Sequence, residues 1–407
     1  MHRSASGRNQ RGAVILTACF FLLFLLGFMS FAMDLSRLFI VKTELQTAMD
    51  SCALAAAHEL DGTPGALDRA TSAGMTSGNL NRVNLQSASW DDKGKITADD
   101  ISFFDAFLIP TTSPTSARYV ECLHEQPDVR LWLLQAMGAF FGDSASFPNM
   151  QDVTARAVAT RGPAQTSCPV PLALRPRPGG DPSNFGYVPG EWITLLMGAG
   201  AGTAGYIGWA NLDGSNNAAE TEREMLEGNC NVRLDQPLGT PGVQNSIADA
   251  WNARFGIYRN ASGPSERYMQ PDTTGYAYTN TNWSSGSGAY NGPTPSGSTT
   301  PNFITQQGEF VSYSGPGVGG GFNKIAQAAD HSEFGSFNRR VVTVPVTNGY
   351  PGLVEDYACM LMLQPMQIPL QPVQLEYIGR AGAPGVPCTT TGLPGASAGP
   401  LVPVLVR

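Results

Sequence analysis

Several stretches of this 407-residue chain place chemistry-bearing residues close together. Residues 315–324 read GPGVGGGFNK, and a glycine-rich turn before a lysine is how backbone N–H groups cradle a phosphate. A phosphate loop ends in Gly-Lys-Ser/Thr, so that the lysine and a hydroxyl reach phosphate and Mg²⁺. Here Phe322 and Asn323 precede Lys324, and Ile325 stands in place of the hydroxyl. Asp213, Ser215, Asn217 and Glu224 fall at positions 1, 3, 5 and 12 of a calcium-loop count, but the glycine needed at position 6 is Ala218, so the segment reads as a capped helix start. Asp34-Leu35-Ser36 and Asp213-Gly214-Ser215 lack the Asp-x-Ser-x-Ser of a metal-dependent adhesion site. His331, beside Asp330 and Glu333, reads as part of a solvated loop, and no Ser/His/Asp set or carboxylate pair stands out. The expectation is a protein without a catalytic, cofactor or metal site, and not an enzyme.

The organising element is residues 12–60. Ala13 to Met33, through Phe20, Leu22 and Leu26, runs without a charge. About 20 apolar residues at ~1.5 Å rise cross the hydrocarbon core of a bilayer as a helix, whereas a lone strand would leave its backbone groups unpaired in lipid. From Asp34 the pattern turns amphipathic with no Pro or Gly to stop it. Leu38, Leu45 and Cys52 form one seven-residue row and Val41, Ala48 and Ala55 another, which predicts one packing face on a helix that leaves the membrane and continues to about Leu60. Part of that face is expected on the domain that follows, and the part nearest the membrane on a partner helix.

RGAV (11–14), the apolar run and DLSRLFIVKTELQTAMDSCALAAA (34–57) together resemble the N-terminal segment of TadE/TadG-like proteins of bacterial tight-adherence (Flp-type) pilus systems. The residues that carry the resemblance are Asp34, Arg37, Phe39, Leu45-Gln46 and the alanine-rich end from Cys52 to Ala57. It implies a pilus-assembly component with other pilus-assembly or pilin-like subunits as partners. It also implies a pilin-like domain packed on the exported half of the helix. The von Willebrand-type metal site of many TadG-like proteins has no counterpart here.

Composition agrees with an exported body. A net charge of −8 argues against a nucleic-acid partner. Only 14% of residues are charged, while 46 Gly and 30 Pro favour strands and long turns. Arg3, Arg8 and Arg11 precede the span, against Arg37 and Lys42 after it, and the bulk of the chain follows it. The expected topology is single-pass in the inner membrane, N-terminus in the cytoplasm, body in the periplasm or extracytoplasmic space. Ser30-Phe31-Ala32 offers a small-residue cleavage site, but the apolar core exceeds the roughly 7–15 residues of a signal peptide. Gly12 lacks a glutamate five residues on, so an uncleaved anchor is expected.

Cys19 lies inside the span. The other six cysteines face an oxidising compartment, where an even number suggests disulfides. Six cysteines allow 15 pairings, and sequence does not choose among them. Pairing neighbours along the chain gives Cys52–Cys122, Cys168–Cys230 and Cys359–Cys388 as the expectation. No C-x-x-C is present and His58, His124 and His331 sit at no zinc-ligand spacing.

The fold class expected is α+β. A cytoplasmic tail (1–12), the span (13–33) and an exported stalk helix (34–60) lead into a pilin-like α+β domain (61–161). In it, strands are predicted at 83–90, 97–104, 117–124 and 152–159, and helices near 66–73 and 130–141. A Pro-rich boundary at 161–180 opens a mainly β domain (162–407). Its predicted strands are 192–197, 206–212, 339–346, 358–363, 373–378 and 401–406, its helices 217–227 and 244–255. Residues 260–321 are of low complexity and read as a surface loop excluded from the sheet. Tyr276, Tyr278, Trp283 and Tyr290 in it could meet a surface glycan or pack the loop onto its own domain. The function read from all this is a membrane-anchored, non-enzymatic component of a pilus-assembly system, minor pilin-like subunit or envelope scaffold. A surface adhesin or glycan-binding protein on a generic anchor is the alternative.

Overall fold

The structure, a computed structural model, describes residues 11–142, 149–197, 205–240, 245–336, 338–349, 352–390 and 393–406. The fold is α+β. The chain forms two compact units, Met1–Arg161 with Pro403–Arg407, and Gly162–Val402.

The first unit is built on one continuous helix, α1 (Arg11–His58). Among the described residues α1 is the helix long and apolar enough to cross a membrane. It is joined by α2 (Ala66–Asn79), β1 (Ile101–Phe104), β2 (Tyr119–Arg130), α3 (Trp132–Phe141) and β3 (Met150–Pro163). The strands make an antiparallel sheet in the order β1-β2-β3, with a fourth strand from the far end of the chain beside β3. Val120, Cys122, Val153, Ala155, Ala157 and Ala159 alternate along β2 and β3 and turn their buried side to α1. The small residues of α1 serve α2: a Cβ on Gly74 would come within 3.3 Å of Ala56 Cβ, and one on Gly78 within 3.2 Å of Ala48 O. Cys52–Cys122 ties α1 to β2.

Residues 83–90 were expected to be a strand and are not. Val83 and Ser87 form an isolated bridge around Asn84, Leu85 and Gln86, all left-handed with φ of 63°, 60° and 63°. Trp90 is buried and its indole donates to Asn81 O at 2.9 Å, which fixes a compact turn where an extended strand would splay the ring away.

The second unit contains β4 (Leu172–Leu174), β5 (Trp192–Leu195), β6 (Ile207–Trp209), α4 (Ala218–Glu227), α5 (Ile247–Ala253), β7 (Ile257–Arg259), α6 (Phe303–Gly308), β8 (Phe322–Ile325), α7 (Ala328–Phe334), β9 (Val341–Thr347), β10 (Val354–Met362) and β11 (Val373–Arg380). Six strands close into a barrel in the order β10-β11-β5-β6-β4-β9, and β7 and β8 form a separate ribbon. Leu174, Leu195, Ile207, Val344, Met360 and Leu375 belong to one core with Ile247 and Trp251 of α5. Cys168–Cys230 and Cys359–Cys388 cross-link this unit.

Two expectations are corrected in these elements. Residues 260–321 are not a solvated loop: Tyr278, Trp283, Ala289 and Phe303 are fully buried against Leu361 and Leu363. From Tyr357 to Met362 the barrel strand β10 is buried on both faces, so its outer face needs a cover; this segment supplies it at Leu361, while Tyr357 and Cys359 pack with Leu212, Val232 and Leu238. The terminal run is β12 (Leu401–Val406), and it joins the sheet of the first unit next to β3 rather than the sheet of the second.

Candidate functional site

The charges that follow the apolar run hold the first unit to α1. Asp34 is buried, and its Oδ2 accepts the N–H groups of Leu133 and Leu134 at 2.9 and 2.7 Å. These are donors of the first turn of α3, which no neighbouring side chain caps, so Asp34 is an N-cap supplied from another helix. The Arg37 guanidinium lies over the Trp132 ring, 4.4 Å from its centroid. Glu44 receives Leu85 N at 2.9 Å and Gln86 N at 3.1 Å, closing the left-handed turn. Gln46 donates to Arg156 O at 2.8 Å and Lys42 to Thr154 O, both on the backbone of β3.

Of the residues expected to form the packing face, Val41, Leu45, Ala48 and Cys52 are buried in this chain's own core. Leu38 and Ala55 are half-buried, and Leu38 packs against the same core. Ala56, not Ala55, continues the buried row. Among the span residues, Phe20, Leu22, Leu26 and Met33 are exposed; Ala13 lies in α1, but its side chain is outside the described residues. A different line stays open: Phe20, Phe24, Phe28, Phe31, Leu35 and Phe39 recur at spacings of three and four, which places them along one helix face. All are exposed, and Phe39, beyond the apolar run, still stands 63% exposed.

The residues that suggested chemistry are engaged elsewhere. The glycine run at 315–321 leads into the strand β8 rather than a helix, and Lys324 donates to Ser262 O at 3.3 Å. Asn217 caps α4 through Ala219 N at 3.1 Å. Glu224 accepts from Leu212 N, Asp213 N and Asn229 Nδ2 at 2.7, 3.0 and 3.2 Å, and burial raises its carboxyl pKa. A ligand oxygen of Asp213, Glu220 and Glu224 each falls within 4.8 Å of the others, but those of Glu224 serve this turn. His331 is buried rather than solvated: it lies 2.6 Å from Asp272 O, and burial lowers its pKa. Asp330 caps α7 by accepting from Gln327 N at 2.8 Å. Of the four aromatics, Tyr278 and Trp283 are fully buried and stack edge to face at 5.4 Å, and Tyr276 and Tyr290 are half-buried. Sequence reasoning missed the buried pair Asp272–Arg340 at 3.1 Å, which no local pattern announces.

No curated protein and no solved structure matches the chain. Across residues 12–59, the segment that α1 occupies, it matches the family model described as putative Flp pilus-assembly TadE/G-like.

Proposed function

We propose that this protein is a membrane-anchored, non-enzymatic component of a Flp-type pilus-assembly system, held in the inner membrane by the apolar run of α1, with the chain from Asp34 onward on the exported side. It acts as a minor pilin-like subunit or an envelope scaffold, and its partners are other pilus-assembly subunits. The observation that carries the reading is that the segment matching the family is one unbroken helix whose outer half is the spine of an α+β unit. A soluble domain would have no use for the apolar run before Asp34, since exposed apolar surface of that extent marks a membrane or protein contact. The contact with a neighbouring subunit is the aromatic seam ending at Leu35 and Phe39, because the buried row from Val41 to Ala56 already serves this chain.

The test is Phe39→Asp in the producing cell. A charge buried unpaired at a helix contact is costly, so the variant stays in the membrane fraction with Cys52–Cys122 oxidised, yet piliation is lost. Phe39→Leu retains it. Normal piliation by Phe39→Asp at normal protein level removes helix packing through this seam.

A further inference from the structure

On the opposite side of α1 from the seam lies a groove of about 510 Å³ in the first unit. Met29, Ala32 and Met33 line one end, Ile40 and Leu85 the other, and Trp132 and Leu133 the wall supplied by α3. Asp34 fixes its level, because its hydrogen bonds to Leu133 and Leu134 pin the start of α3 to the first charged turn after the apolar run. If that run fills the ~30 Å hydrocarbon core, Asp34 stands at its boundary, and the headgroup layer extends roughly 5–8 Å further. At ~1.5 Å rise per residue, Ile40 is ~9 Å above Asp34. The groove therefore passes from acyl-chain depth through the headgroup layer.

Its chemistry changes along that path as a phospholipid does. The lower end is apolar. Trp132, which borders it, is 61% exposed, and an amphipathic indole is the side chain that settles at the membrane–water interface. Arg37 also lines the groove; its guanidinium lies over the Trp132 ring, and its Nε and Nη1 are buried without a hydrogen-bond partner. A guanidinium left without an acceptor is costly, and phosphate oxygens match its fork of donors.

We propose that this groove seats a phospholipid, with an acyl chain along Met29, Ala32 and Met33 and its phosphate on Arg37, so that the first turn of α3 rests in the bilayer interface. This rests on α1 being a membrane span. The occupant is a lipid rather than a second protein helix because the groove is continuous with the span and ends, at headgroup height, in a guanidinium whose Nε and Nη1 lack an acceptor.

The experiment uses the full chain in phosphatidylcholine–phosphatidylglycerol vesicles carrying a lipid with a nitroxide quencher near the headgroup. The other five tryptophans are buried or half-buried, so Trp132 is the one open to quenching. The expected result is strong quenching in the wild type that is mostly lost in Trp132→Phe. Native mass spectrometry of detergent-extracted protein is expected to find one phospholipid retained by the wild type and lost from Arg37→Gln. Equal quenching in Trp132→Phe, from protein that resists alkaline carbonate extraction, overturns the seat while leaving the anchor standing. Retention of the same lipid by Arg37→Gln overturns the phosphate assignment. Release of the wild type by carbonate overturns the anchor itself, and the seat with it.

Discussion

Asp34 shows what a short charged motif does once the chain has folded. Its carboxylate substitutes for the side-chain cap that α3 lacks, and it does so across 99 and 100 positions of sequence. Removing an N-cap acceptor costs about 0.5–2 kcal/mol. Asp34→Ala should therefore lower the stability of the first unit by that order, with Asp34→Asn losing less because one acceptor remains. Hydrogen exchange reads this directly: the Leu133 and Leu134 amides should exchange faster in Asp34→Ala, while the amides of β2 and β3 keep their protection. Unchanged exchange at those two amides would mean that α3 is held by packing alone. The sequence displayed Asp34, Arg37 and Gln46 as a pattern but could not say what any of them touches. Their partners are backbone N–H and C=O groups and one ring on α3 and β3, and backbone groups leave no trace in residue type. Glu44 was missed for the same reason, since it binds two N–H groups of a turn that has no glycine to announce it.

The long helix was legible because its signals are local: an uncharged run followed by apolar residues at helical spacing. Which positions point inward was legible only in part. A strict seven-residue repeat selects Ala55, whereas the helix buries Ala48, Cys52 and Ala56, four residues apart, against Gly74 and Gly78 of α2. This is close backbone packing between small residues, not a heptad seam, and four-residue rows are what two packed helices interdigitate. Size at Gly78 is then the sensitive quantity. A Cβ there would approach Cys52 Cβ at 3.1 Å and Ala48 O at 3.2 Å, and only the Ile96 methyl at 2.3 Å has room to turn away. Gly78→Val should destabilise the unit by about 1–3 kcal/mol, the usual range for overpacking, measured as a lower urea midpoint. A neutral result would show that α2 can slide on α1.

At the scale of the molecule, the barrel strands β9, β10 and β11 were legible as apolar runs, but their cover was not. Residues 260–321 look too polar to bury anything, yet a few rings set among glycines suffice to cover β10 at Leu361. A composition average dilutes Tyr278, Trp283 and Phe303 below notice. The end of the chain was misplaced because strand pattern gives no address: Leu401–Val406 alternates weakly and would fit either sheet. Its true position makes the first unit discontinuous, with Gly162–Val402 inserted between its two segments, Met1–Arg161 and Pro403–Arg407. The first sheet is thus completed only after the second unit has been traversed by the chain. Without β12, the hydrogen-bonding edge of β3 stands open, and an open edge is a site of fraying and of unwanted pairing. Ending the chain before Leu401 should therefore harm the unit that is distant in sequence and spare the one adjacent to the cut. The expected outcome is faster proteolysis within residues 83–161 and a Cys52–Cys122 bridge reduced at lower thiol concentration. Cys168–Cys230 and Cys359–Cys388 should keep their resistance to both. If the truncated chain instead loses the two bridges of the second unit and keeps the first, β12 stabilises the barrel side of the molecule, and the first sheet is self-sufficient with three strands.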